Sequence, residues 1–227
     1  MPLKPGETEE TDFSSERDIV DDDSLITGVQ ELDEASDPSG IPKGSVIAIL
    51  GDPLSQGDLI NYHLAYTRPT AYLTYLRSGE EIRRRFRSLD GFENHIDIVD
   101  RTNSSEGEIN YAIEEIEQLE QNGNLIIEPA NHMPDLSAQT LQHLQKSNQE
   151  NEGIVYLYFT INNVDAMTDA QKRLLFVADG IFHINTIIEK NQTTTTLNMT
   201  KLRGAAERET VALDLSHKFK ESDLDGI

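Results

Sequence analysis

The chain has 227 residues, no cysteine, and 41 acidic against 19 basic side chains, for a formal net charge of -22 at pH 7. Without cysteine it has no disulfides, thiolate metal sites or cysteine nucleophile. Its acidic surface repels nucleic-acid phosphates and anionic membranes. The acids are spread along the whole chain, which favours a salt-rich, halophilic cytoplasm whose counterions screen self-repulsion. An acidic protein of a mesophile is the alternative interpretation.

The composition predicts one core domain between two polar ends. Residues 1–23 carry Glu, Asp, Ser and Thr with few apolar positions, and are predicted to form a disordered acidic arm. Residues 24–217 are predicted to form the core, and 218–227 a flexible polar tail. No apolar run approaches the length of a membrane span and the first residues are unlike a signal peptide, so a cytoplasmic location is expected.

Apolar runs and helical periodicities alternate along the core. Strands are predicted at 46–50, 71–76, 96–99, 125–127, 154–159, 180–184 and 211–215, with 186–188 and 193–199 as arms of a hairpin. Helices are predicted around Ile26, Val29 and Leu32, from near Asp58 to Tyr66, at 80–89, at 106–120, from Asp135 or Ser137 to about Gln149, and at 170–177. Continuous apolar strands separated by helices predict an α/β fold, with a mostly parallel sheet covered on both faces and the late hairpin at one edge.

Residues 45–59, SVIAILGDPLSQGDL, have the strand–loop–helix form of a phosphate-binding loop. The Walker A pattern G-x-x-x-x-G-K-[ST] uses glycines to let backbone N–H groups surround phosphate, and a lysine to reach the terminal phosphates. Counted from Gly51, the second glycine position holds Gln56, the lysine position Gly57 and the hydroxyl position Asp58. The frame of the loop is therefore present without its phosphate-binding side chains.

Several short motifs occur in a fixed order around this loop. They are TGVQELD at 27–33, GIPKGSV at 40–46, ADGI at 178–181 and KLRG at 201–204. Together they resemble the single RecA-type ATPase core of the KaiC/RadA-like group over roughly residues 25–216. The resemblance implies a RecA-like P-loop NTPase fold, with a mostly parallel central sheet flanked by helices and a C-terminal antiparallel hairpin.

The resemblance also indicates where a nucleotide site would lie. The residues at its positions are Gly51, Ser55, Gln56, Gly57, Asp58 and Glu128. Asp52 and Asp58 add negative charge where phosphate belongs, and Leu76 and Arg77 stand where the family carries the glutamates that activate water. Leucine accepts no proton and arginine stays protonated, so no catalytic residue is predicted.

Three carboxylates and two cations lie at or near positions that the family uses for its chemistry. Glu80 and Glu81 would replace the missing base only if the loop were remodelled, and solvated acids at a helix start are the favoured interpretation. Glu128 stands at the Walker B position, where it would hold Mg²⁺ through water or, as we prefer, hydrogen-bond the neighbouring loop. Lys201 and Arg203 match the family's intersubunit finger, which reaches a neighbour's γ-phosphate, so they are predicted interface residues; an ordinary charged hairpin end is equally favoured.

Other site types find less support. The Ser-x-Gly of residues 53–57 lacks the first glycine of a nucleophile elbow, and the histidines show no zinc-ligand spacing, so neither a hydrolase triad nor a metal site is predicted. The arginines of 83–87 form a basic cluster that would contact an acidic partner or nucleic acid. Local neutralisation of Glu80 and Glu81 is the favoured alternative.

The leading functional hypothesis is a catalytically inactive RecA/KaiC-like protein acting as a regulatory or scaffolding partner in signalling, transcription or recombination. Its expected partners are copies of itself, homologous RecA/KaiC-like subunits or a regulatory protein, with no membrane and no nucleic acid, and it needs no cofactor. A weak ATP- and Mg²⁺-binding ATPase is the second hypothesis. A recombination mediator that binds DNA through 83–87 is the third.

Overall fold

The computed structural model describes residues 23–36, 40–52, 57–88, 95–104, 107–161, 165, 167–189, 192–203 and 209–213. Most of the predicted arm, the predicted tail 218–227 and the loop residues Ser55 and Gln56 lie outside these residues, so the predictions for them stay predictions. The described strands are β1 (Ser24–Leu25), β2 (Ile41–Pro42), β3 (Ser45–Gly51), β4 (Thr70–Thr74), β5 (Ile96–Asp100), β6 (Asn124–Glu128), β7 (Ile154–Thr160), β8 (Gly180–Glu189), β9 (Gln192–Leu202) and β10 (Glu209–Leu213). The described α-helices are α1 (Gln30–Ala35), α2 (Leu59–Ala65), α3 (Gly79–Ser88), α4 (Glu108–Gln118), α5 (Ala138–Asn151) and α6 (Asp169–Val177).

The main sheet has eight strands in the order β10-β9-β8-β3-β7-β6-β4-β5. The strands from β8 to β5 run parallel, whereas β9 is antiparallel to both of its neighbours, β8 and β10. The predicted mostly parallel α/β sheet with a late antiparallel hairpin is therefore confirmed. A separate two-stranded ribbon of β1 and β2 was not predicted, because each of these strands has only two residues.

Two apolar layers sandwich the sheet. Alternate residues of β3 point to opposite layers, with Ile47 and Ile49 in one and Val46 and Ala48 in the other. Helices α1 to α3 contribute to the first layer and α4 to α6 to the second. Every residue of β3 is buried, which is why the strand reads as a continuous apolar run instead of an alternating one.

The predicted helix around Ile26 is wrong at its start. Ile26 is 53% exposed, and α1 begins only at Gln30. Gly28 has a left-handed φ of 79°, and the Asp33 carboxylate accepts from the backbone N–H groups of Thr27 and Gly28 at 2.6 and 3.0 Å. This side-chain-closed turn precedes the helix, so Ile26 shares the helical spacing without being helical.

Three further strand boundaries differ from the predicted ones. Strand β4 ends at Thr74, before the predicted end at 76, and leaves Leu76 61% exposed. The predicted strands 180–184 and 186–188 are one continuous strand, β8. The last strand, β10, begins at Glu209 instead of 211, and residues 214 and 215 lie outside the described residues. Of the two possible caps of α5, Ser137 forms a capping box with Thr140, whereas Asp135 accepts from the N–H of Gly107.

No helix among the described residues is long and apolar enough to cross a membrane.

Candidate functional site

The carboxyl ends of the central parallel strands converge on one small cavity. Strand β3 ends there at Gly51, β6 at Glu128 and β7 at Thr160, while Arg77 follows β4 by three residues. The cavity has a volume of about 250 Å³. Its lining residues are Asp52, Asp58, Leu76, Arg77, Arg85, Glu128, Pro129, Tyr158 and Thr160. Ligands bind at this edge of open α/β sheets, so the cavity is the candidate site.

The side chain of Arg77 lies between two carboxylates of this cavity. Its Nη1 donates to Asp58 Oδ2 at 2.6 Å, and its Nη2 contacts Glu128 Oε1. The Thr74 hydroxyl donates to the carbonyl of Arg77 at 2.7 Å, which closes the turn at the end of β4. The side chain of Arg77 is only 16% exposed, so the guanidinium depends on these anions for its partners.

Asp58 is the shared acceptor of two arginines. It is the N-cap residue of α2, but its side chain makes no capping hydrogen bond. Its Oδ2 instead accepts from Arg77 and, at 3.0 Å, from Nη1 of Arg85 in α3. The carboxylate of Asp58 is thus turned toward cations of its own chain.

Glu128 is the most buried charge of the cluster, with a side chain 5% exposed. Burial raises the pKa of Glu128 well above its usual range, the Asp58 carboxylate raises it further, and the side chain of Asn61 opposes the shift. The contact with Arg77 favours the ionised form. The backbone of Glu128 is held as well, since its carbonyl accepts from the N–H of Tyr75 at 2.8 Å.

Tyr158 and Gly51 close the β3–β7 side of the cavity. A Cβ at position 51 would overlap the Tyr158 hydroxyl, so only glycine leaves room for the ring. Burial, together with the charges of Asp58 and Glu128, raises the pKa of Tyr158, which keeps its phenol neutral. A tyrosine therefore fills this wall of the cavity.

Of the predicted nucleotide-site residues, Gly51, Gly57, Asp58 and Glu128 are described, and all except Gly57 take part in the contacts or lining given above. Gly57 is buried at the entry to α2. Sequence reasoning missed Arg85 and Tyr158 as members of this site. No spacing in the sequence pairs Arg85 with Asp58. Tyr158 could have been found, because it lies near the carboxyl end of a predicted buried strand, as Glu128 does.

The predicted interface residues make contacts within their own chain. Lys201 Nζ donates to the carbonyl of Phe176 at 3.1 Å and also to that of Ala178. Arg203 pairs with Asp179 at 3.2 Å and donates to the carbonyl of Lys43 at 3.1 Å. Both side chains remain exposed in part, and their interface role stays a prediction.

The arginines of α3 are partly engaged with neighbouring groups. Arg85 pairs with Glu81 at 3.5 Å as well as with Asp58, and Arg83 donates to the carbonyl of Ile98 at 2.7 Å. Arg84 and Arg87 are exposed. Among the described residues, no group of three or more His, Cys, Asp or Glu side chains is arranged to hold a metal ion.

A family model matches residues 24–223. The chain belongs to this family. It is described as a family of unknown function (DUF7125), and membership therefore carries no activity with it. No curated protein matches the chain.

The fold is similar to the crystal structure of a KaiC-like protein from the hyperthermophilic archaeon Pyrococcus horikoshii OT3. The TM-score is 0.66 at 16% sequence identity, and the similarity covers 84% of this chain and 94% of the other. At this identity the similarity shows the fold alone. This member of DUF7125 therefore has the fold of a KaiC-like protein.

Proposed function

We propose that the chain is a catalytically inactive RecA/KaiC-like protein that acts as a regulatory or scaffolding partner. One observation carries the proposal: the Arg77 guanidinium lies between Asp58 and Glu128, at the strand ends where the fold would place nucleotide phosphates. The cavity thus contains its own ion pairs. Gly57 and Asp58, at the Walker A lysine and hydroxyl positions, make this loop a degenerate one.

The charges of the cavity oppose a nucleotide. Three carboxylates, of Asp52, Asp58 and Glu128, line it against the two guanidinium groups of Arg77 and Arg85. Two like unit charges about 4 Å apart repel by roughly 4 kcal/mol at an effective dielectric constant of 20. A phosphate would have to compete with Asp58 for direct contact with both arginines.

The volume of the cavity and the side chains beside it also argue against nucleotide hydrolysis. Its 250 Å³ is smaller than the roughly 300–1,000 Å³ of ordinary small-molecule sites. Leu76 and Arg77, where a water-activating glutamate would be expected, cannot accept a proton. A stable protein with this arrangement is better suited to presenting surfaces than to hydrolysing a bound nucleotide.

Calorimetry with ATP and ADP at molar KCl, with Mg²⁺ present, tests the proposal. We expect no heat and no thermal stabilisation at millimolar nucleotide. A restored variant, Gly57→Lys with Asp58→Ser and Arg77→Glu, serves as the matched control, because it returns the lysine, the hydroxyl and a candidate base. Binding of wild-type chain at micromolar strength, about −8 kcal/mol, would contradict the proposal.

The partner side of the proposal needs its own experiment. A pull-down with the full chain from native extract in high salt is expected to recover a homologous RecA/KaiC-like subunit or a regulatory protein. Recovery of neither would count against the regulatory role, whatever calorimetry shows. The repetition of the pull-down with Lys201→Glu and Arg203→Glu tests whether the predicted interface residues carry the contact.

A weak ATPase is the second candidate, and the retained carboxylate of Glu128 at the end of β6 is the observation in its favour. In that case Glu128 would hold Mg²⁺, and Lys201 and Arg203 of a neighbouring copy would supply positive charge. Turnover that disappears in Glu128→Gln would establish it. Phosphate release equal in wild type and Glu128→Gln would remove it.

We also propose that the protein works in the salt-rich cytoplasm of a halophilic archaeon. The support is the net charge of -22, with only 19 basic side chains to offset 41 acids. In such a solution counterions screen the repulsion among the acids.

A further inference from the structure

One face of the antiparallel end of the sheet carries a groove. In β8 and β9, residues such as Phe182, Leu197 and Met199 point into the first apolar layer, while Ile181 and His183 point to the opposite side. There the strands form, with α6, a groove of about 570 Å³, here called the α6 groove. It is lined by Lys172, Leu175, Phe176, Ile181, His183, Thr200 and Lys201.

The α6 groove combines an apolar anchor with positive charge. Phe176 is 83% exposed, the most exposed of the large apolar side chains described. Lys172 and Lys201 line the same groove, and the exposed Arg173 follows Lys172 in α6. On a chain with a net charge of -22, such a cluster of cations beside an exposed ring fits an acidic segment that also carries apolar side chains.

The chain itself contains a segment of this chemistry. Residues 1–22 hold eight acids against Lys4 and Arg17, together with the apolar Phe13, Ile19 and Val20. Residues 214–227, at the other end, hold four acids against two lysines and match the groove less well. Charge complementarity therefore selects the acidic arm over the tail.

The acidic arm joins the fold beside the α6 groove. The carbonyl of Asp23 accepts from the N–H of Lys43 at 2.9 Å. The carbonyl of Lys43 in turn accepts from Arg203 at 3.1 Å. Lys201, two residues before Arg203, lines the groove. A stretch of 22 residues spans up to about 70 Å when extended, so the arm is long enough to reach from Asp23 to the groove.

We propose that residues 7–22 dock into the α6 groove of their own chain, with an apolar side chain against Phe176 and carboxylates against Lys172 and Lys201. The proposal goes beyond the function proposed above, because it assigns an occupant to a surface away from the cavity of Arg77. It also gives the arm a regulatory effect. A docked arm covers Lys201 and competes with any acidic partner for the same groove.

Tryptophan fluorescence tests the docking on the full chain. The chain has no tryptophan, so Phe13→Trp provides a single reporter within the arm. We expect a blue-shifted emission and weak quenching by acrylamide, both independent of protein concentration. Lys172→Glu with Phe176→Ser is expected to shift the emission to the red and to weaken docking by about fivefold for the lost ion pair alone. Lys146→Glu, an exposed lysine of α5, is the matched control and should change neither reading.

A second variant leaves the core untouched. Glu9→Gln, Glu10→Gln and Asp12→Asn in the Phe13→Trp background remove charge from the arm alone, and should release the tryptophan as the groove variant does. An emission typical of free tryptophan in all variants would overturn the proposal. So would a docking signal that rises with protein concentration, which would place the arm in the groove of another copy, or an equal change in the Lys146→Glu control.

Discussion

Arg77 donates to Asp58 at 2.6 Å and so connects the turn after β4 to the N-cap residue of α2. Under the function proposed above, the two residues replace a water-activating carboxylate and a Mg²⁺-binding hydroxyl. The two replacements are complementary in charge. The cavity at the strand ends thus contains a partly buried ion pair, and each member has a second partner, Arg85 for Asp58 and Glu128 for Arg77.

Replacement of Arg77 should be costly at neutral pH and less so in acid. In Arg77→Met, the buried Glu128 loses its cation, and an unfolding free energy lower by about 3 kcal/mol is expected at pH 8. Burial already raises the pKa of Glu128, so the folded chain holds the proton more tightly than the unfolded chain. The penalty is therefore absent while Glu128 is protonated in both folded chains, and it grows as the pH rises through the raised folded pKa of Glu128 in the wild type.

Urea denaturation of wild type and Arg77→Met between pH 5 and 8 measures this difference. Arg84→Met, at an exposed arginine of α3, is the matched control and should cost less than about 0.5 kcal/mol. The double variant Arg77→Met with Glu128→Gln should recover part of the loss at pH 8. An equal deficit at all pH values would show that the cost comes from lost packing and not from an unpaired carboxylate.

Replacement of Glu108, a second buried carboxylate, should lower the unfolding free energy. Its side chain is 1% exposed and accepts from Arg101 at 2.5 and 2.8 Å and from the Tyr75 hydroxyl at 3.0 Å. Burial raises the pKa of Glu108, but these hydrogen bonds outweigh it and hold the pKa below its usual range. Its contribution to stability is therefore present above the unfolded pKa, near 4.3, and is lost as the pH falls through the lower folded value.

Glu108→Gln is expected to lower the unfolding free energy by about 2 kcal/mol at pH 7, because it removes charge-assisted hydrogen bonds. Glu114→Gln, an exposed acid of the same helix, should change it by less than about 0.5 kcal/mol. Urea denaturation at pH 7 and pH 3 compares the two. A Glu108→Gln deficit that is larger at pH 3 than at pH 7 would contradict the assigned direction of the pKa shift.

The sequence was sufficient for the architecture because each central strand is a continuous apolar run. The run at 46–50 and the glutamate after 125–127 placed Gly51 and Glu128 at the same sheet edge without any coordinates. The pairing of Asp58 with Arg85 was out of reach, since it depends on how α2 and α3 pack over that edge. Ile26 was misjudged for a local reason, because the Asp33 carboxylate closes a turn that apolar spacing does not reveal.

Gly51→Ala should destabilise the fold through a single contact. The added Cβ would overlap the Tyr158 hydroxyl and come within 2.8 Å of the ring carbon that bears it. Overpacking of this kind costs about 1–3 kcal/mol. Tyr158→Phe removes the hydroxyl but not the ring carbon, so the double variant should recover part of the loss. A double-mutant cycle by urea denaturation measures the coupling, and a coupling near zero would mean that Tyr158 moves aside at no cost.

Added salt should stabilise this chain by screening its acids. The net charge is -22, and the Debye length falls from about 10 Å at 0.1 M to about 3 Å at 1 M salt, so repulsion between neighbouring exposed carboxylates is largely lost. Repulsion is stronger in the compact folded chain than in the expanded unfolded one, and its removal favours folding. We therefore expect the melting temperature to rise steadily between 0.1 and 1 M KCl.

The exposed acids of α4 and its C-terminal flank provide the control for that measurement. Glu114, Glu117 and Glu120 are exposed, and their joint replacement by glutamine removes three negative charges without touching either apolar layer. If screening is the cause, this variant should melt higher than wild type at 0.1 M KCl and gain less from added salt, so that the two curves converge near 1 M. Parallel curves would assign the salt effect to a general strengthening of apolar burial instead, and a flat wild-type curve would remove the support for a salt-rich cytoplasm.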